Sequence, residues 1–281
     1  MIDTLYVNGC SWTAGNEIEC DPGFKLFIES KGWKLQDPSD PVNWNLVDAN
    51  NQLVSRVDEH YNTFNWSGRL QRMLKVPKLI NDSTGGGSND RILRTTVKHV
   101  MSMPERDRKR TLVVIGWTVS DRSEIYVGND WHRFNATQSF SSTADRYFLP
   151  DETVLKKIDK YQEDYILNVF SDYQRVHNYF QTVYLLSNLL DNLKIKYYFF
   201  NALPAWWAAG SSKISCDVDG EFSEQLMWHD SHHKFHARND TMFKYVNDNK
   251  CPPAPYGHPM FQGHEMWANH LLTTIKAKRI I

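Results

Sequence analysis

Short apolar runs alternate with longer amphipathic stretches along this chain. Thr4–Asn8 carries Leu5, Tyr6 and Val7 in succession and stops at Gly9, which predicts a short buried strand. Trp66–Leu74 is amphipathic and reads as a helix. Leu79–Asn81 predicts a second strand, followed by Gly85-Gly86-Gly87. Arg91–Met101 is a further helix, closed by Pro104. Thr111–Gly116 is a continuous apolar run, as a strand buried on both faces requires. From Gln162 to Leu193 apolar residues recur at threes and fours, predicting one long helix or two. Ile195–Phe200 is a fourth strand and His264–Ile275 a closing helix.

Strands that alternate with helices pair in parallel through crossovers. The expected fold class is therefore α/β: a three-layer α/β/α sandwich around a short parallel sheet, with residues 1–281 as one domain. Stretches at about 17–65 and 121–160 read as long loop insertions, and about 205–255 as an irregular, His-rich segment. Ligands of such sheets bind beyond the carboxyl ends of the strands, so the residues just past each strand carry the functional interest.

Composition narrows the partners. Lys plus Arg is 32 against Asp plus Glu 33, a net charge of −1, so there is no basic field to hold nucleic acid or an anionic membrane. No apolar run reaches membrane-spanning length. The opening MIDTLYVNGCSWTAG lacks a basic leader, so no signal peptide and a cytoplasmic location are expected. Cys10, Cys20, Cys216 and Cys251 form no CxxC pair; they read as free thiols, and no cofactor is expected.

Three strand exits hold candidate chemistry. The first runs Gly9-Cys10-Ser11-Trp12-Thr13, where a strand-to-helix turn can lift the Ser11 hydroxyl into solvent and point amide N–H groups at an oxyanion. Ser11 is equally suited to a plain helix cap. The second exit, Asn81 to Asn89 through three glycines, offers close backbone approach and N–H donors, or simply a flexible turn; it is no Walker loop, since no Lys-Ser/Thr follows. The last, Gly257-His258-Pro259, precedes the closing helix, and a histidine held in a Pro-bounded loop has the habit of a general base.

Together these blocks resemble the SGNH (GDSL-like) hydrolase superfamily: a serine after strand one, Asn-x-x-x-x-Gly after strand two, and HPxxxGHxxWAxxL at the end. NGCS-aromatic-T and GGSNDRI are similar to a divergent branch common in phage genomes, for which the location is host cytoplasm or virion. The resemblance implies Ser11 as nucleophile, His258 as base, and the Ser11 and Gly86 N–H groups as oxyanion donors. It implies hydrolysis of an ester or O-acetyl group, on a small ester or a glycan.

Three departures leave the outcome open. Cys10 stands where the family has Asp, and is expected to be a buried thiol. The third block has no Asn; Thr118, Ser120 or Asn89 are the available substitutes as oxyanion donors. Pro255 occupies the place of the orienting Asp, leaving Asp217, Asp219, Asp230 or a backbone carbonyl to hold the imidazole. A Ser11–His258 dyad, a rewired triad and an inactive binding or structural module, with protein partners docking through the insertions, all fit.

Two further groups invite a role. Trp12, Trp117, Trp206 and Trp207 all follow strands, so they are expected at the same crest, as stacking surfaces for a sugar or as floors for the insertions. His229, His232, His233 and His236 would share one face if helical, spaced like metal ligands; the alternative, and the reading adopted, is a polar segment with no metal.

Overall fold

The computed structural model describes residues 1–35, 46–54, 59–127, 129–135, 152–203, 218–255 and 257–281. In chain order, β1 (Thr4–Gly9) leads into α1 (Ser11–Ala14), a 3-10 turn at Ile18–Cys20 and α2 (Pro22–Ser30). Then come β2 (Lys34–Leu35), β3 (Leu46–Val47), β4 (Leu53–Val54), α3 (Glu59–Phe64), α4 (Trp66–Leu74) and β5 (Lys78–Asn81). The middle of the chain forms α5 (Asn89–Ser102), α6 (Glu105–Arg108), β6 (Thr111–Trp117), β7 (Arg122–Val127) and β8 (Asp130–Asn135). It continues through α7 (Glu152–Asn168), α8 (Asp172–Asn192) and β9 (Lys196–Asn201) to α9 (Val218–Glu221), α10 (Ser223–Ser231), α11 (Met242–Asp248) and α12 (Phe261–Ala277).

The main sheet has the order β5-β1-β6-β9 and is parallel throughout. Side-chain alternation divides its two faces. Leu5, Val7, Leu112 and Val114 join Trp66 and Leu70 of α4 and Trp267 and Leu271 of α12 on one side. Tyr6, Val113 and Ile115 join Ile92 of α5 and Val183 and Leu186 of α8 on the other. This is the α/β/α sandwich. Each fully buried Val or Leu stabilises it by about 1.5–3 kcal/mol, which is why the sheet strands read as unbroken apolar runs. The chain leaves β1 to one side for β5 and returns past it to β6, so the carboxyl end of β1 lies at the switch point where a crevice opens.

The intervening stretches are less irregular than the sequence suggests. The first contains α2, a three-stranded antiparallel sheet and α3; the second forms the β7–β8 hairpin and the start of α7; the third holds α9, α10 and α11. Their signals are short. The buried face of α2 is only Phe24 and Ile28, and β2, β3 and β4 have two residues each. The predicted segment 162–193 is broken in two by Ser171, which caps α8 through the Gln174 N–H.

Among the described residues, no helix is long and apolar enough to cross a membrane.

Candidate active site

β1 stops at Gly9 and α1 starts at Ser11 because the helix descends onto the strand ends. Gly9 and Gly116 are register partners on β1 and β6. A Cβ on Gly9 would lie 2.3 Å from Thr13 Oγ1, and one on Gly116 would lie 2.5 Å from the same atom. Only a glycine pair lets Thr13 sit there, and that seat sets Ser11 at the crest. Asn8, fully buried, ties the end of β1 to α5: its Oδ1 accepts from Gly9 N, and its Nδ2 donates to Thr95 and Thr96.

The glycine loop after β5 docks on the same strand end. Thr84 N donates to Gly9 O at 3.2 Å, and a Cβ on Gly87 would come within 3.0 Å of that oxygen. Gly86 has a φ of +67° and is exposed. Among the described residues, the N–H groups of Ser11 and Gly86 donate to no protein acceptor. The Arg133 guanidinium reaches over this loop from β8, 3.4 Å from where a Gly86 Cβ would stand.

His258 is delivered by a closed loop. Ala254 N donates to His258 O, Gly257 N donates to Ala254 O, and Pro253 bridges Pro259. His258 Nε2 lies 2.8 Å from Ser11 Oγ. The far ring nitrogen, Nδ1, lies 2.5 Å from Glu17 Oε2, and the same carboxylate oxygen accepts from the His258 backbone N–H at 3.1 Å. A carboxylate only accepts, so Nδ1 carries the proton and Nε2 presents its lone pair to the serine hydroxyl. Trp12 packs beside the imidazole at 6.0 Å between ring centres and itself rests against Phe243.

Glu17 is the residue that sequence reasoning missed. Its side chain is 7% exposed. It sits between α1 and the 3-10 turn with φ +66°, a left-handed conformation that costs a non-glycine residue about 1–2 kcal/mol. Four residues on, Asp21 accepts from Gly23 N at the start of α2 and from Phe261 N at the start of α12. Glu17 and Asp21 thus clamp the His258 loop at two main-chain points. The available signal was proximity: Glu17 is the first carboxylate after Ser11.

The other candidates divide. Cys10 is a free, fully buried thiol in the core. Pro255 is exposed in its turn, and Asp230 lies against Arg238 and His229, so it does not hold His258. Asp217 and the side chain of Asp219 lie outside the described residues, as do Trp206 and Trp207. Trp117 is corrected: strand alternation turns it into the core, fully buried edge-on to Phe199. Trp12 is 5% exposed and serves the imidazole more than a ligand.

Asn89 accepts from Thr118 N at 3.0 Å and donates to Thr118 O at 3.1 Å, so its carboxamide holds the end of β6. The Thr118 hydroxyl accepts from Arg122. Ser120 Oγ is buried.

The four-histidine face does not form, because α10 ends at Ser231. His229 packs on Phe235, His232 lies against Tyr197 and Trp228, His233 stacks on His232, and His236 turns away to Asp240 and His270. Burial pushes His264 down to about 3 and keeps it neutral; its Nδ1 accepts from Trp66 N.

No curated protein matches the chain. Solved structures similar to it include TesA, 12% identical over 98% of this chain and 99% of that one, with a TM-score of 0.47. A lipase, Lip_vut3, from a goat rumen metagenome is 10% identical over 98% and 97%, with a TM-score of 0.45. A putative lipolytic protein of the G-D-S-L family from Desulfitobacterium hafniense is 10% identical over 99% of both chains, with a TM-score of 0.45. A model for a family of unknown function, DUF6071, matches residues 45–281, the stretch that carries His258 but neither Ser11 nor Glu17. The chain belongs to the DUF6071 family.

Proposed function

We propose that this chain is an SGNH-like serine hydrolase that cleaves an ester or O-acetyl group through a Ser11–His258–Glu17 triad. One observation carries the reading: a single imidazole touches a serine hydroxyl with one nitrogen and a buried carboxylate with the other. The carboxylate missing from the turn before His258 is supplied by Glu17 from the other end of the chain.

Ser11 Oγ attacks the acyl carbon as its proton passes to His258 Nε2. The imidazolium that forms is held by Glu17. The carbonyl oxygen becomes an oxyanion facing the Ser11 and Gly86 N–H groups, and each such donor is worth about 10²–10³ in kcat. Collapse breaks the ester C–O bond, and the alcohol leaves with the proton from Nε2. Water, deprotonated by the same nitrogen, then releases the acid from Ser11 and restores the hydroxyl.

The test is labelling with a fluorophosphonate probe, alongside turnover of p-nitrophenyl acetate and a panel of acetylated saccharides. Labelling that is lost in Ser11→Ala, with turnover lost in parallel, is the expected result. A folded protein that neither labels nor turns over any of these esters refutes the proposal and leaves a non-catalytic binding module.

A further inference from the structure

A second cluster of chemistry-bearing side chains lies apart from the triad. Residues 234–236 run beside the free edge of β9: Phe199 N donates to Lys234 O, and His236 N donates to Phe199 O. This pairing fixes His236. Asp240 follows one tight turn later, and His270 projects from α12. The three meet at single atoms. His236 Nε2 is 2.7 Å from Asp240 Oδ2, His270 Nε2 is 3.0 Å from the same oxygen, and the two nitrogens are 3.1 Å apart.

We propose that His236, Asp240 and His270 bind one divalent transition-metal ion, zinc. The geometry is the first reason. A triangle with those edges has a circumradius of about 1.7 Å, so an ion about 1.1 Å above its plane reaches all three atoms at the usual 2.0–2.1 Å. At that reach the three edges subtend angles of about 80–100° at the ion, tighter than a regular tetrahedron, so the ligands take one face of the ion and leave its far side open. Two imidazoles aimed at one oxygen by the same ring nitrogen, and at each other, use all three lone pairs only if a cation lies between them.

The surroundings are the second reason. His236 Nδ1 is 2.6 Å from the Tyr198 hydroxyl, the outer hydrogen bond by which a metal-bound histidine is oriented. The rings are held by packing: Trp267 lies edge-on to His236, and Tyr245 stacks on His270 at 4.2 Å. His236 is 4% exposed, His270 25% and Asp240 40%, so the site is walled on the imidazole side and open to solvent on the carboxylate side. That leaves a fourth position for water. Two imidazoles and one carboxylate, with no thiolate, suit a first-row divalent ion such as zinc rather than calcium or magnesium.

The ion would staple the segment after α10 to α12, the helix whose leading loop carries His258. His229, His232 and His233 take no part.

Full-length protein stripped with chelator and dialysed is titrated with zinc chloride by calorimetry and with cobalt chloride by visible absorption. One equivalent binds with a dissociation constant of about 10 μM or tighter, cobalt gives d–d bands, and saturating zinc raises Tm by several degrees. His270→Ala and Asp240→Asn each weaken binding at least 100-fold. A His232→Ala/His233→Ala protein binds as wild type, which excludes adventitious capture by that pair.

Asp240 is part-exposed, so Asp240→Asn tests the site even if a histidine variant fails to fold. Zinc binding unchanged in Asp240→Asn, or no Tm shift and no cobalt bands at 1 mM, overturns the proposal and leaves a hydrogen-bonded triad. These readouts do not depend on esterase activity.

Discussion

Replacing Glu17 separates the two things its carboxylate does. Oε2 accepts from both Nδ1 and the backbone N–H of His258. In Glu17→Gln the carboxamide has one oxygen and one NH2 group. Turning the NH2 inward would set it donor-to-donor against the His258 N–H, so the backbone selects the oxygen. The imidazole tautomer is therefore kept, and what is lost is the negative charge opposite the imidazolium. A charge-assisted hydrogen bond is worth about 1.5–3 kcal/mol, and 1.36 kcal/mol is tenfold in rate, so the loss is about 10–150-fold in kcat. Glu17→Ala removes the acceptor altogether. The imidazole can then adopt the wrong tautomer, and the loss approaches the roughly 10⁴-fold seen when a triad loses its orienting carboxylate.

The assay is p-nitrophenyl acetate hydrolysis, with the rate of fluorophosphonate labelling as a substrate-independent check and Tm as the control for folding. Glu17 meets the ring nitrogen remote from Ser11, so kcat and kcat/KM should fall together with KM unchanged. The order is the sharp part: wild type above Gln, and Gln above Ala. Glu17→Ala within threefold of wild type, while Ser11→Ala is dead, would falsify the triad assignment. Gln falling below Ala would refute the selection of the oxygen by the backbone.

Three other outcomes follow from the same geometry. Gly116→Ala drives a Cβ to within 2.5 Å of Thr13 Oγ1 and should destabilise the fold by about 1–3 kcal/mol in urea unfolding; adding Thr13→Ala removes that oxygen and should recover part of the loss, and strict additivity would contradict the seating of Thr13. Asn89→Asp sets an acceptor, and a buried charge, against Thr118 O and should cost about 2–3 kcal/mol, read from the shift in denaturation midpoint at unchanged slope. Burial lowers His264 to about 3 and His229 to about 4, so between the unfolded value near 6.5 and those values the unfolded chain binds more protons; stability should therefore fall as pH falls through that window, by up to about 1.4 kcal/mol per pH unit for each group. His264→Gln should flatten the slope between pH 6 and 4, and an unchanged slope counts against a neutral buried His264.

The centre of the sheet was legible because its strands are buried on both faces: Thr111–Trp117 has no solvent-facing position to break its apolar run. α4 was legible to the residue, since its buried Trp66 and Leu70 keep helical spacing and Asn65 caps it. Trp117 was misplaced because position along the chain says that a residue ends a strand, not which face it takes. The four-histidine face, the alternative not adopted, does not form because an i, i+3, i+4, i+7 pattern needs a helix to give it meaning, and this helix stops after its first histidine. His236 instead takes partners 4 and 34 residues away.

The carboxylate of the proposed triad was invisible for a related reason. A search for an acid just before the histidine assumes that the base's own turn supplies it, whereas the requirement is one acceptor at one point beside Nδ1. Here that turn is closed by its own hydrogen bonds around Pro255, and the segment after Ser11 supplies the carboxylate. Ser11 and Glu17 are then spaced by one covalent stretch, and only the His258 loop has to dock. Asp21 should matter for that docking without touching the chemistry, since its carboxylate holds Phe261 N at 3.1 Å while capping α2 at 2.8 Å. Asp21→Ala should lose about 1 kcal/mol of stability from the cap and, by loosening the loop, about tenfold in kcat with KM unmoved. Asp21→Asn retains an acceptor and should restore most of both. If Asp21→Ala loses stability but keeps full kcat, Glu17 alone positions the imidazole and the second clamp is only structural.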